Sequence, residues 1–187
     1  DYNSNQNIVK HKIMPVTILH LTHTEIPKDN RILKEIHSLS SVGYNVWGLG
    51  RTLNEGGEKT NIKSETDHQI ITLSLLTKKN KFLSRTLYHF FVFIELSIRL
   101  IIIGWRINPK IIHCHDTLVL PIGVLLKTIR RSKLIYDAHE LESNKAGQTK
   151  ILSKLTLIIE KICWPYIDLL ITVSPSIVKW YMHNFGK

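Results

Sequence analysis

Two short stretches hold most of the residues able to do chemistry. Ile111-Ile112-His113-Cys114-His115-Asp116 and Leu134-Ile135-Tyr136-Asp137-Ala138-His139-Glu140 each begin as an apolar run and end in titratable groups. Imidazoles exchange protons near neutral pH and carboxylates accept hydrogen bonds, so either end suits proton movement, metal ligation or recognition of hydroxyls. In an extended chain His113 and His115 project to one side and Cys114 to the other. Three readings stand for this pair. One imidazole caps the next helix or satisfies the sheet edge. Alternatively, His-x-His ligates a metal with help from Asp116, although no clear set of further ligands is visible. In the third reading, His115 and Asp116 line a substrate cleft. If the two stretches are neighbouring strands, His139 and Glu140 join them, a cluster suited to hydroxyl activation or sugar recognition. The plain alternative for His139 is an imidazole satisfied by a loop carbonyl.

A third stretch, Thr17-Ile18-Leu19-His20-Leu21 running on to Lys28-Asp29-Asn30-Arg31, has no glycine in its turn. The dinucleotide fingerprint needs glycines so that backbone can approach a pyrophosphate, which disfavours a nicotinamide or flavin enzyme. No phosphate-binding P-loop is present either. Asp29 reads as a helix N-cap and places free amides and Arg31 at a helix start facing a ligand. An ordinary cap accounts for Asp29 equally well.

Parallel strands joined by crossover helices would position these groups. Short runs rich in Ile, Val and Leu predict strands at Val16–Leu21, Tyr44–Leu49, Gln69–Leu75, Lys110–Cys114, Lys133–Tyr136 and Leu169–Val173. Amphipathic stretches predict helices at Asn30–Val42, Phe82–Trp105, Leu118–Arg131, Ile151–Tyr166 and Pro175–Phe185. With right-handed crossovers this order gives an α/β fold, a Rossmann-like, doubly wound and mostly parallel sheet with helices on both faces. Arg51–Asp67 and Glu140–Lys150 read as surface loops, the second at the carboxyl edge of the sheet where a loop can serve as a lid.

With 187 residues, a single domain is expected over 1–187. Hydrophobic residues make up 43%, which excludes a disordered chain. Lys and Arg number 25 against 15 acids, and the resulting +10 favours anionic partners. Cys114 and Cys163 sit in apolar stretches and read as reduced thiols, which excludes a zinc ribbon. The polar start, Asp1 to Lys12, lacks a signal-peptide core, so a cytoplasmic location is expected. Tyr88–Trp105 is apolar enough to raise a membrane span, but Glu95 and Arg99 four residues apart in its middle favour a helix packed on a sheet. Lys78, Lys79, Lys81 and Arg85 precede that helix, and Lys127, Arg130, Arg131 and Lys133 form a second group with no acid between them in sequence. Basic residues leading into an apolar helix suggest rest on an anionic membrane surface, the inner face of the plasma membrane; simple solubilisation of a helix end is the equal alternative. No nucleic-acid-binding motif is visible.

The ordered set of motifs resembles the N-terminal half of a GT-B glycosyltransferase, specifically family 4 of the retaining enzymes. Asp29-Asn30-Arg31-Ile32-Leu33-Lys34-Glu35, Gly43-Tyr44-Asn45-Val46, Ile112-His113-Cys114-His115-Asp116, Tyr136-Asp137-Ala138-His139-Glu140 and Asp168-Leu169-Leu170-Ile171-Thr172-Val173-Ser174 carry the resemblance across nearly the whole chain. It implies an N-terminal, acceptor-side domain, with the C-terminal donor-binding domain absent from this chain and the isolated chain inactive. The implied reaction is transfer of a sugar from a nucleotide-sugar to the hydroxyl of a saccharide or lipid-linked acceptor, in polysaccharide or glycolipid synthesis. No metal and no cofactor are implied. By position His139 is the implied catalytic residue, and His115, Asp116, Glu140, Asp29 and Arg31 are the implied substrate-binding residues. Many relatives carry a glycine-rich first loop, which Lys28-Asp29-Asn30-Arg31 replaces here. A non-catalytic carbohydrate- or nucleotide-binding module, or one subunit of a split glycosyltransferase, is the alternative.

Overall fold

The computed structural model describes residues 15–52, 61–63, 68–77, 84–139 and 149–186. In chain order the elements are β1 (Thr17–Leu21), α1 (Asn30–Ser41), β2 (Asn45–Arg51), β3 (Asn61–Lys63), β4 (His68–Leu73), α2 (Arg85–Ile107), β5 (Ile111–Cys114), α3 (Leu120–Arg130), β6 (Lys133–Ala138), α4 (Lys150–Cys163), β7 (Leu169–Thr172) and α5 (Pro175–Phe185). They form one sheet of order β3-β4-β2-β1-β5-β6-β7. Six strands are parallel, and β3 alone runs antiparallel, on β4. The doubly wound α/β fold is therefore as expected. The order reverses at β1, so the carboxyl ends of β1 and β5 open a crevice, the place where such sheets bind ligands.

The expected loop over Arg51–Asp67 needs correction. Arg51 ends β2, and Asn61–Lys63 forms β3, whose antiparallel register covers the outer edge of β4. Three residues are too few to show a period-two pattern, so the strand leaves no trace in the sequence. Of the expected lid over Glu140–Lys150, residues 140–148 lie outside the described residues, as do Lys78, Lys79 and Lys81, while Thr149 caps α4 and Lys150 opens it.

Strand alternation sorts the side chains. Leu19, Leu21, Ile112, Cys114, Leu134 and Tyr136 join the larger core with Leu96 and Leu100 of α2 and Leu126 of α3. On the opposite face, Ile32 and Ile36 of α1 pack on Val46 and Ile70 in a smaller core. Helix ends follow their local chemistry. Asp29 caps α1 by accepting from the amides of Arg31 and Ile32, and Gly43 leaves that helix at φ 95°, a left-handed value that favours glycine.

Val92, Leu96, Leu100 and Gly104 of α2 recur every four residues and form its buried stripe. Gly104 permits the close approach, because a Cβ there would lie 2.6 Å from Cδ1 of Leu126. By length and composition α2 alone among the described helices could cross a membrane, yet this stripe and its two charges bind it to the sheet. Glu95 accepts from the amides of Leu76 and Thr77 at 2.7 and 2.8 Å, while Arg99 donates to the Ser74 carbonyl and lies 3.0 Å from Glu95. On the outer side Phe90, Phe91, Ile98 and Trp105 remain exposed. The second basic group is not free of acids in space, since Lys127 and Lys133 both pair with Asp168. Arg130 stacks on the Trp105 ring.

Candidate active site

Register brings the motifs together. His20 of β1 lies directly beside His113 of β5, and His113 beside Ile135 of β6. Two residues further on, His115 has left β5 and Asp137 is still within β6, both facing α1. His113 and His115 stack with ring centroids 4.2 Å apart, on the same side as their spacing requires. Cys114 faces the other way, with its thiol 3.7 Å from the Val119 carbonyl.

Asp116 is buried beneath the loop that follows β1. Its Oδ2 accepts from the His23 amide at 3.1 Å and lies 2.7 Å from His23 Nδ1, while Oδ1 accepts from the Val119 amide at 3.1 Å. Burial alone would raise this carboxyl, but the His23 imidazole and the two amides outweigh it and hold Asp116 below the usual carboxylate range. The ionised group thus ties the β1 loop to the start of α3.

Asp137 does the same on the neighbouring strand, β6. Arg31 donates to its Oδ2 at 2.7 Å, and His115 Nδ1 stands 3.4 Å from the same oxygen. Here too burial pushes upward, and His115 and Arg31 bring Asp137 below its ordinary value. Arg31 is a third exposed, so its guanidinium spans from the buried carboxylate to the crevice.

A cleft of about 130 Å³ lies between these groups, lined by Thr22, His23, Arg31, His115, Asp116 and His139 among others. A wider depression of about 410 Å³ next to it is lined by His23, Glu25, Lys28, Asp29 and Arg51. His139 lines the first, and its buried Nδ1 accepts or donates no hydrogen bond among the described residues. His115 is 2% exposed and forms the rear wall.

The structure therefore gathers Arg31, His115, Asp116 and His139 at one cleft and places Asp29 on the rim of the neighbouring depression. Glu140 lies outside the described residues. Sequence reasoning missed four groups that shape the site: His20, His23, Glu35 and Asp137. His20 and Asp137 carried a legible signal, being polar residues in otherwise apolar strands at positions that share a face with His113 and His115. His23 and Glu35 come from a loop and from α1, and only the fold brings them near.

No family model matches the chain, and no curated protein matches its sequence. Solved structures do match its fold. Sucrose-phosphate synthase from Thermosynechococcus elongatus is similar with a TM-score of 0.69 at 14% identity, over 92% of this chain and 45% of that one. Arabidopsis thaliana UGT89C1 complexed with UDP-L-rhamnose is similar with a TM-score of 0.56 at 15% identity, over 92% of this chain and 49% of that one. An Escherichia coli trehalose-6-phosphate structure bound with UDP-2-fluoro glucose gives 0.50 at 12% identity, over 82% and 39%. These neighbours are GT-B glycosyltransferases, and the Rossmann-like fold of this chain is the one they contain. The chain spans less than half the length of each.

Proposed function

We propose that this chain is the acceptor-side domain of a glycosyltransferase, of the retaining family-4 kind, that moves a sugar from a nucleotide-sugar to an acceptor hydroxyl. The observation that carries this reading is the His139 imidazole, which lines a cleft at the carboxyl edge of a sheet of the kind GT-B enzymes contain and whose Nδ1 has no partner among the described residues. In the reaction the acceptor oxygen forms a bond to the anomeric carbon as the bond to the diphosphate breaks, and the acceptor proton must leave. An imidazole with one free nitrogen can orient the hydroxyls at that centre or carry the proton. His115 and Asp116 form the wall behind it, Arg31 offers a cation at the mouth, and Asp29 borders the acceptor path. Departure of the diphosphate would be stabilised by a donor domain on the same protein or on a partner subunit.

The test is sugar transfer by the full protein that carries this chain. His139→Ala is expected to lower turnover by about a hundredfold or more. His139→Gln separates the roles: a glutamine still hydrogen-bonds a hydroxyl but carries no proton, so substantial rescue means orientation. Turnover near that of the unsubstituted protein in both variants, with donor and acceptor saturating, overturns the assignment. The chain alone is expected to bind nucleotide-sugars weakly; a low-micromolar dissociation constant, about −8 kcal/mol, would place the donor site here instead.

A lipid-linked acceptor met at the inner membrane face extends this reading, supported by the exposed Phe90, Phe91, Ile98 and Trp105 on α2. Sedimentation with anionic vesicles that is released by salt supports it. Sedimentation unchanged by reversing Lys78, Lys79 and Lys81 to Glu removes it.

A further inference from the structure

Behind the cleft lies a second cluster, of which the proposed sugar chemistry uses only His115, as the rear wall. His20 comes from β1, His113 from β5, His115 from the residue after β5 and Glu35 from the second turn of α1. One donor atom from each lies within 4.8 Å of all the others. We infer that these four side chains form a binding site for one divalent transition-metal ion of the zinc type.

The donor set and its spacing both argue for it. Three imidazoles and one carboxylate are the ligands zinc takes, and four of them close a tetrahedral shell. A tetrahedron with metal–nitrogen bonds of about 2.0–2.1 Å sets its donors about 3.4 Å apart. Three of the six separations fall on either side of that value, and all six lie within 4.8 Å: His20 Nδ1 to His115 Nε2 is 2.8 Å, His113 Nδ1 to Glu35 Oε2 is 3.6 Å and His115 Nε2 to Glu35 Oε2 is 4.0 Å. Small rotations of the rings and of Glu35 would meet it.

Protein hydrogen bonds leave the cluster incompletely satisfied. Of the four donor atoms measured above, Glu35 Oε2 is buried with no hydrogen-bond partner among the described residues, while the unpaired ring nitrogens of His20 and His113 are the Nε2 atoms on the other side of each ring. An unpaired buried polar atom is costly, and a cation among these donors would satisfy the Glu35 oxygen. Desolvation also pushes His20 well below its ordinary value and His113 down to about 3, with neighbouring imidazoles adding to the shift.

An outer support is present as well. Asp137 Oδ2 lies 3.4 Å from His115 Nδ1, so a proton on Nδ1 would be held by the carboxylate and Nε2 would present its lone pair to the cluster. Arg31 fixes that carboxylate in turn. A carboxylate behind a ligand histidine is the usual means of orienting it. Glu35 is 31% exposed in its side chain, which gives an ion a way in from solvent. With all four positions filled by protein, the bound ion would tie β1, β5 and α1 together and stiffen the rear wall of the cleft.

The experiment begins with chelator-stripped protein titrated with Zn2+ by calorimetry and with Co2+ by visible spectroscopy. One ion per chain is expected, with micromolar or tighter affinity on the order seen for closed sites. Bound Co2+ should give the intense absorption of four-coordinate geometry, and Zn2+ should raise the melting temperature. His20→Ala, His113→Asn and Glu35→Gln should each weaken binding by about tenfold to a hundredfold or more. His183→Ala, on the exposed face of α5, should leave it unchanged. Glu35→Gln keeps the shape of a partly exposed side chain, so it reports even where a buried histidine variant is unstable. No saturable binding, the weak colour of six-coordinate Co2+, or equal binding by the unsubstituted protein and the Glu35→Gln and His113→Asn variants would overturn the site.

Discussion

The two faces of the sheet are built from the same strands and do different work. On the α2 and α3 face, Leu19, Leu21, Ile112, Cys114 and Tyr136 meet the buried stripe of α2 and the underside of α3 in the larger core. On the α1 face, the alternate residues of those strands are His20, His113, His115 and Asp137, and the apolar core shrinks to Ile26, Ile32, Ile36, Val46 and Ile70. Buried apolar area stabilises in proportion to its extent, whereas buried polar groups roughly break even at best when paired. The comparison teaches that one face holds the fold together so that the other can carry desolvated, titratable chemistry next to a cleft.

The division of labour can be broken most sharply on the packing face. Leu100 is fully buried against the sheet, and Leu100→Ala is expected to cost about 3 kcal/mol in chemical denaturation. A loss under about 1 kcal/mol would mean that α2 contributes little and that the comparison is wrong.

A smaller effect is expected on the α1 face. Asp137→Asn removes the charge that Arg31 and His115 share, and about 2 kcal/mol of stability should go with it, less than for a fully buried pair because Arg31 is a third exposed. Sugar transfer should fall further than stability alone explains, since the rear wall of the cleft loses its anchor. Unchanged stability and transfer in the Asp137→Asn protein would contradict the role given to this carboxylate.

The rim of the sheet gives a pH-dependent test. Asp168 is held down to about 2, against the upward push of burial, by Lys127, the Leu134 amide and Lys133. A carboxyl depressed in the folded state stabilises above its unfolded value of 3.8, and that contribution disappears as pH falls through about 2. Asp168→Asn should therefore cost roughly 1 kcal/mol at neutral pH, reduced by solvent screening, and only a fraction of that at pH 2. Melting curves at the two pH values check this; a difference that persists undiminished in acid would mean that charge is not the cause.

The smallest effect is expected on the outside of α2. Phe91 is 48% exposed, so Phe91→Ser should change stability by less than about 0.5 kcal/mol while weakening any vesicle binding. A large stability loss would show that this surface is packed rather than presented.

Much of the architecture was legible in residue order. The alternation of apolar runs with amphipathic stretches gave six parallel strands and five helices, and Asp29 and Gly43 marked the ends of α1 through chemistry that acts within a few residues. Period two also put His113 and His115 on one side of β5. Strand β3 was invisible because three residues carry no periodicity, and its pairing depends on the free edge of β4.

The sequence grouped His115, Asp116 and His139, but which groups stand behind them could not be read along the chain. His20 and His113 are 93 positions apart in sequence and lie side by side only because the sheet order reverses at β1 and seats β5 next to it. Arg31 meets Asp137 across 106 positions, and Glu35 reaches the histidines only because α1 crosses above them. Apart from β3, local sequence determined the strands, the caps and the facing of side chains, because those depend on backbone geometry and nearest neighbours. The tertiary structure alone decided that three imidazoles and a glutamate would share one buried space, because strand order is set by how helices of given length and handedness cross the whole sheet.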